Sequence, residues 1–164
     1  MCLANNNLRL VFAVCILSAI LAANAASASI VINEMLPNPG SDWNGNGEVS
    51  GMDDEFVELF NSGNEPVDIS GYVLMDTVFR STPGEFKLPD GTIIKPGEFL
   101  TINVTESSVF QGNDGDCIKL FDAAGSLVDE IEYNATEPDV SFARIPDGGD
   151  WKESTTPTPG KSNQ

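Results

Sequence analysis

Short runs of alternating or continuous apolar residues recur about every ten residues in this sequence. Pro, Gly, Asn and Asp break them apart, and outside the N-terminal segment none sustains a helical period. Segments this short can bury a face only as strands, because a helix of the same length lacks a stable apolar stripe. The pattern predicts strands at 30–35, 55–60, 67–69, 72–76, 85–88, 92–94, 99–104, 117–121, 127–133 and 141–145. Within this set, Pro89-Asp90-Gly91 reads as a hairpin turn between two of them. An all-β, immunoglobulin-like β-sandwich is the expected fold. The chain has 164 residues, enough for one domain, and its 41% apolar content suits a packed core. There is no internal repeat of solenoid type.

The first 28 residues read as a secretory signal. Arg9 supplies the positive charge and Leu10 to Ala23 the apolar stretch, and Ala23-Asn24-Ala25 or Ala26-Ser27-Ala28 offers a cleavage site. The stretch falls short of the ~20 apolar residues a membrane span needs, so no span is expected after cleavage. The expected organisation is a signal over 1–28, a sandwich over 29–152 and a flexible tail over 153–164, with a secreted or cell-surface location. Cleavage removes Cys2 and Cys15 and leaves Cys117 alone, so no intrachain disulfide can form. A full core or a bound metal must then hold the fold. Cys117 itself is expected as a buried strand residue.

The net charge is −17, from 25 acidic and 8 basic residues. Such a surface repels phosphate backbones, which disfavours nucleic acid as a partner. The chain has no His, so it lacks the commonest general base and the partner a cysteine nucleophile would want.

The stretch from Pro37 to Asn61 carries the densest chemistry. Asp42, Asn44, Asn46 and Asp53 stand at positions 1, 3, 5 and 12 of a twelve-residue loop, and Gly47 at position 6 supplies the sharp turn. Glu48 at position 7 would offer its backbone carbonyl, and Ser50 at position 9 a direct or water-mediated contact. Val49 at position 8 is the expected apolar anchor. A hard cation such as calcium needs this kind of oxygen set on a short bend. With two formal charges, and Asp in place of a bidentate Glu, the affinity should be weak, on the order of 10⁻⁴–10⁻³ M. Asp54, Glu55 and Glu34 are substitutes if the loop closes differently. The loop leads directly into the expected strand Glu55–Phe60.

Several short motifs run in order through the chain. They are Ile32-Asn33-Glu34, Glu55-Phe56-Val57-Glu58-Leu59, Pro66-Val67-Asp68-Ile69-Ser70-Gly71-Tyr72, Pro96-Gly97-Glu98, Gly125 with Val128-Asp129, Ser141 with Arg144-Ile145-Pro146-Asp147-Gly148, and Thr158-Pro159-Gly160. Together they resemble a lamin-tail domain of intermediate-filament type, as found in exported prokaryotic proteins. The resemblance implies an immunoglobulin-like sandwich and a non-catalytic module. The 42–53 loop is separate from that pattern and resembles the calcium loop of dockerin and EF-hand proteins.

The leading functional reading is an exported, monomeric adhesion or interaction module, stabilised by calcium, whose partner is a protein or glycan at the cell surface. A carboxylate-using accessory or catalytic unit of an extracellular hydrolase is the alternative. The missing His and the lack of a nucleophile elbow oppose it. A nuclear-lamina role is opposed by the signal and by the absence of heptads. Asn103-Val104-Thr105 and Asn134-Ala135-Thr136 are glycosylation sequons. Arg144 reads as a surface or half-buried ion-pair partner, and Trp151 as a ring packed over the sandwich end.

Overall fold

The computed structural model describes residues 29–51, 53–76, 84–103, 107, 109, 112 and 114–164. The expected signal segment lies outside the described residues, as does Val104-Thr105 of the first sequon. Among the described residues the strands are β1 (Ile30–Leu36), β2 (Phe56–Asn61), β3 (Val67–Asp68), β4 (Val73–Asp76), β5 (Glu85–Lys87), β6 (Ile93–Ile94), β7 (Phe99–Asn103), β8 (Gly115–Phe121), β9 (Leu127–Asn134), β10 (Ser141–Arg144) and β11 (Trp151–Ser154). They form a five-stranded sheet in the order β11-β10-β1-β2-β7, a four-stranded sheet in the order β5-β4-β8-β9, and a small β3-β6 pair. The chain is all-β, and the arrangement is that of an immunoglobulin-like sandwich.

Side chains that alternate inward from each sheet make one core. Ile30, Ile32, Met35, Val57, Leu59 and Ile102 come from the five-stranded sheet, and Leu74, Ile118, Leu120, Ile131 and Tyr133 from the four-stranded one. The two-residue period is clearest in β8. Asp116, Ile118 and Leu120 are buried, while Cys117, Lys119 and Phe121 are half-buried on the other face. Cys117 is therefore on its expected strand, but on the outer face rather than in the core.

Two sequence expectations need correction. Pro89-Asp90-Gly91 does turn, with Gly91 at φ 82° and the Thr92 N–H donating to the Pro89 carbonyl. It does not close a hairpin, because β5 pairs with β4 and β6 pairs with β3. Leu88 and Ile94 both enter the core, so the turn is a corner where the chain changes sheets. Residues 153–164 are not a free tail. The first two complete β11, and the rest lies across the outer face of the five-stranded sheet, where Pro157 and Asn163 are buried. The expectation of a loose end followed from the missing apolar period; polar contacts hold this segment instead.

A bulge in β1 between Ile32 and Glu34 interrupts the ladder with β2. It leaves Asn33 out of that ladder, and the Asn163 amide donates to the Asn33 carbonyl at 3.1 Å. Asp129 Oδ2 accepts the Ile32 N–H at 2.9 Å, and Arg144 Nε donates to the Ile32 carbonyl at 2.9 Å. Arg144 also pairs with Asp129 at 3.1 Å, and its guanidinium lies 4.5 Å from the Trp151 ring centroid. Asp129 is on β9 and Arg144 on β10, so this cluster ties the two sheets together. Trp151, expected over the sandwich end, packs on that cation. Among the described residues no helix is long and apolar enough to cross a membrane.

Both members of the Arg144–Asp129 pair are mostly buried, with side-chain exposures of 17% and 15%. Removing one partner strands the other's charge. Arg144→Ala should lower unfolding free energy by about 3 kcal/mol, measured by urea denaturation.

Candidate functional site

The loop between β1 and β2 winds around its own carboxylates. Asp42 Oδ1 accepts the N–H groups of Gly45 at 2.7 Å and Asn46 at 3.1 Å, and its Oδ2 accepts the N–H of Gly47 at 2.7 Å. Asn44 Oδ1 accepts the Asn46 N–H at 2.9 Å, and Asn46 Oδ1 accepts the Glu48 N–H at 2.8 Å. Gly45 and Gly47 take φ values of 74° and 93°, a region closed to most side chains. The Asn46 amide donates to the Asp53 carboxylate, and the Asn44 amide donates to the Asp53 carbonyl at 3.2 Å. The first, third, fifth and twelfth positions thus lie together at one end of the bend.

Asp54 has a different task. It is 1% exposed. Its Oδ1 accepts the N–H groups of Trp43 at 2.8 Å and Asn44 at 3.1 Å, and its Oδ2 accepts the N–H of Ser50 at 2.8 Å. Named from sequence as a substitute ligand, it is the brace on which both limbs of the loop close. Glu34, also named as a substitute, is engaged elsewhere by Ser141 and Thr158. Glu55 is buried beside the first residue of β2. Val49 does not anchor the loop, since it is 59% exposed.

Anchoring comes from Asp139, which the sequence reading missed. Its carboxylate accepts the Gly40 N–H at 2.8 Å, the Ser41 hydroxyl at 2.6 Å and the Trp43 indole N–H at 2.7 Å. The Asp139 N–H donates to the Asn38 carbonyl at 2.8 Å, and the Asn38 amide donates to the Thr136 carbonyl at 3.0 Å. Asp139 takes φ 58°, the one positive value at a residue other than Gly among the described residues. Burial pushes its carboxyl up, but the bonds from Ser41, Trp43 and Gly40 outweigh that and hold it below the usual carboxylate value. The loop is thereby fixed to the β9–β10 connection. The only sequence signal for this was Glu137-Pro138-Asp139, a turn-like tripeptide far away along the chain.

The bend is rich in oxygen: Asp42 and Asp53 carry carboxylates, and the Glu48 main-chain carbonyl is on the same short bend. The Asn44 and Asn46 amides turn their nitrogens toward Asp53, while their oxygens accept the Asn46 and Glu48 N–H groups. Among the described residues no three Asp, Glu or Cys side chains gather at one point, so the set is oxygen-rich but low in charge.

A family model for the lamin tail domain matches residues 23–135, which include β1 to β9 and the 42–53 loop. This chain belongs to the lamin tail domain family. Lamin tail domains are immunoglobulin-like and generally act as non-catalytic interaction modules. No curated protein matches the sequence.

Cutting the clasp should loosen the loop without unfolding the sandwich. Asp139→Ala should shift Trp43 fluorescence to longer wavelength, speed proteolysis between residues 40 and 51, and cost about 1 kcal/mol. Limited digestion with emission spectra checks all three.

Proposed function

We propose that this lamin tail domain protein is an exported interaction module whose 42–53 loop binds calcium. The observation that carries the calcium reading is the wound loop, with Asp42, Asn44, Asn46 and Asp53 at one end of a bend that Asp54 braces and Asp139 fastens to the sandwich. Calcium there would be held by those four side chains and by the Glu48 carbonyl. Its contribution is charge neutralisation and rigidity in a chain where the expected mature part has no disulfide. The N-terminal signal pattern supports a secreted or cell-surface location, where calcium is plentiful enough for a weak site. The acidic surface and immunoglobulin-like fold suit a monomer that binds a surface protein or glycan rather than nucleic acid.

The alternative, a carboxylate-using hydrolase unit, gains no support from the buried acids Glu34 and Glu58. Both carboxylates are covered and engaged by donors from the chain itself.

Thermal unfolding with calcium and with a chelator tests the site. An affinity on the order of 10⁻⁴–10⁻³ M gives about 1.4 kcal/mol of stabilisation at ten times Kd, a rise of a few degrees in midpoint. Asp42→Ala should abolish the rise. An unchanged wild-type midpoint contradicts the proposal. Capture of a cell-envelope partner that depends on calcium would extend the reading from site to function.

A further inference from the structure

Glu34 on β1 and Glu58 on β2 face each other across the ladder, and both side chains are fully buried. On β2 the neighbours Val57 and Leu59 point into the core, so Glu58 points from the opposite face of the sheet. What covers that face is the segment 155–164. Glu34 Oε2 accepts the Thr158 N–H at 3.0 Å and the Thr158 hydroxyl at 3.1 Å, while Oε1 accepts the Ser141 hydroxyl at 2.6 Å. Glu58 Oε2 accepts the Gly160 N–H at 2.6 Å and the Thr101 hydroxyl at 3.3 Å, and Oε1 accepts from the Asn33 amide at 3.3 Å. Beyond them, Asn163 donates to the carbonyls of Asn33 and Arg144, and Ser162 and the Asn163 N–H donate to Asp147.

Among the described residues no cation offsets this pair. Lys161 of the covering segment is exposed, and Arg144 is committed to Asp129 and to main-chain carbonyls. The charged groups that bear on the pair are acids. Glu34 acts on Glu58 from β1, and Asp147 acts on Glu34 from the β10–β11 turn. Two carboxylates on neighbouring strands under a lid of main chain are costly to ionise together.

We propose that residues 155–164 form a proton-governed strap, closed over the five-stranded sheet while Glu58 holds a proton and loosened when Glu58 ionises, which bares a carboxylate-lined strip of β1 and β2. The direction follows from linkage. Burial, reinforced by Glu34, pushes the Glu58 carboxyl up from 4.5 to about 7 in spite of the donated hydrogen bonds, and burial likewise raises Glu34. With the strap lifted, Glu58 meets water and returns toward 4.5. The closed state therefore holds more protons across that window. Its advantage is complete at the acidic end and is lost as pH rises to about 7, above which it changes no further.

Amide hydrogen exchange by NMR on the full chain, expressed as protection factors, reads the strap directly. Between the two ends of the window, protection of the Thr158 and Gly160 N–H groups should fall by roughly tenfold to a few hundredfold, then level off. In Glu58→Gln, which keeps an acceptor oxygen without the charge, Gly160 protection should be high and its fall largely removed, with only the contribution of Glu34 left. Wild-type protection that is flat across the window, or a fall that persists unchanged in Glu58→Gln, overturns the proposal. Carbon-detected titration of the Glu58 carboxyl in the wild type needs no variant. Ionisation near the ordinary glutamate value overturns the proposal, and ionisation near neutrality supports it.

Discussion

Carboxylate oxygens that accept main-chain N–H groups hold the loops of this protein in place. With 25 acidic residues and 8 basic ones, most acids cannot find a cation in the chain. Ion pairs among the described residues are Lys95–Glu98, Lys119–Glu130 and Arg144–Asp129. Loop N–H groups are the other available donors, and they too need partners wherever the ladder stops. Asp42, Asp54 and Asp139 shape the β1–β2 loop in this way, and Asp122 shapes the β8–β9 turn through the N–H groups of Ala124 and Ser126. A charged acceptor makes a stronger bond than a neutral one, so each of these turns has one defined conformation.

The same device recurs at two places with different burial. In the β1–β2 loop Asp42 and Asp53 are half-buried, while Asp54 is buried and engaged by main-chain N–H groups. Our proposal gives that loop a calcium ion, with its backbone already held by Asp54 and Asp139. At Glu34 and Glu58 the carboxylates are buried under main chain, and in our proposal a proton relieves them. Between these places the Asp129–Arg144 cluster engages the Ile32 main chain and links the two sheets.

The positions of ten strands along the chain and the sandwich itself were legible because period-two runs and Pro/Gly breaks are local signals, as in Ile30–Met35 and Cys117–Phe121; which strands pair was not, and β11 went unread. The motif series from Ile32 to Thr158 also pointed to the lamin tail domain family. What escaped notice depends on contacts distant in sequence. Asp139 meets Trp43 across 96 positions, and Thr158 meets Glu34 across 124. No periodicity encodes such pairings. The corner at Pro89-Asp90-Gly91 was misread because a turn residue reports local geometry and not which strands later pair. The 155–164 strap was misread because its hold is polar, and an apolar pattern was the signal sought.

The central claim is that the 42–53 bend binds one calcium ion. Calcium titration followed by amide shifts in nitrogen-15 spectra addresses it most directly. The account predicts that the N–H resonances of Asn44, Gly45, Asn46 and Gly47 move together and saturate at one ion per chain, with the core strands unmoved. Small, unsaturating shifts spread over the acidic surface would contradict it.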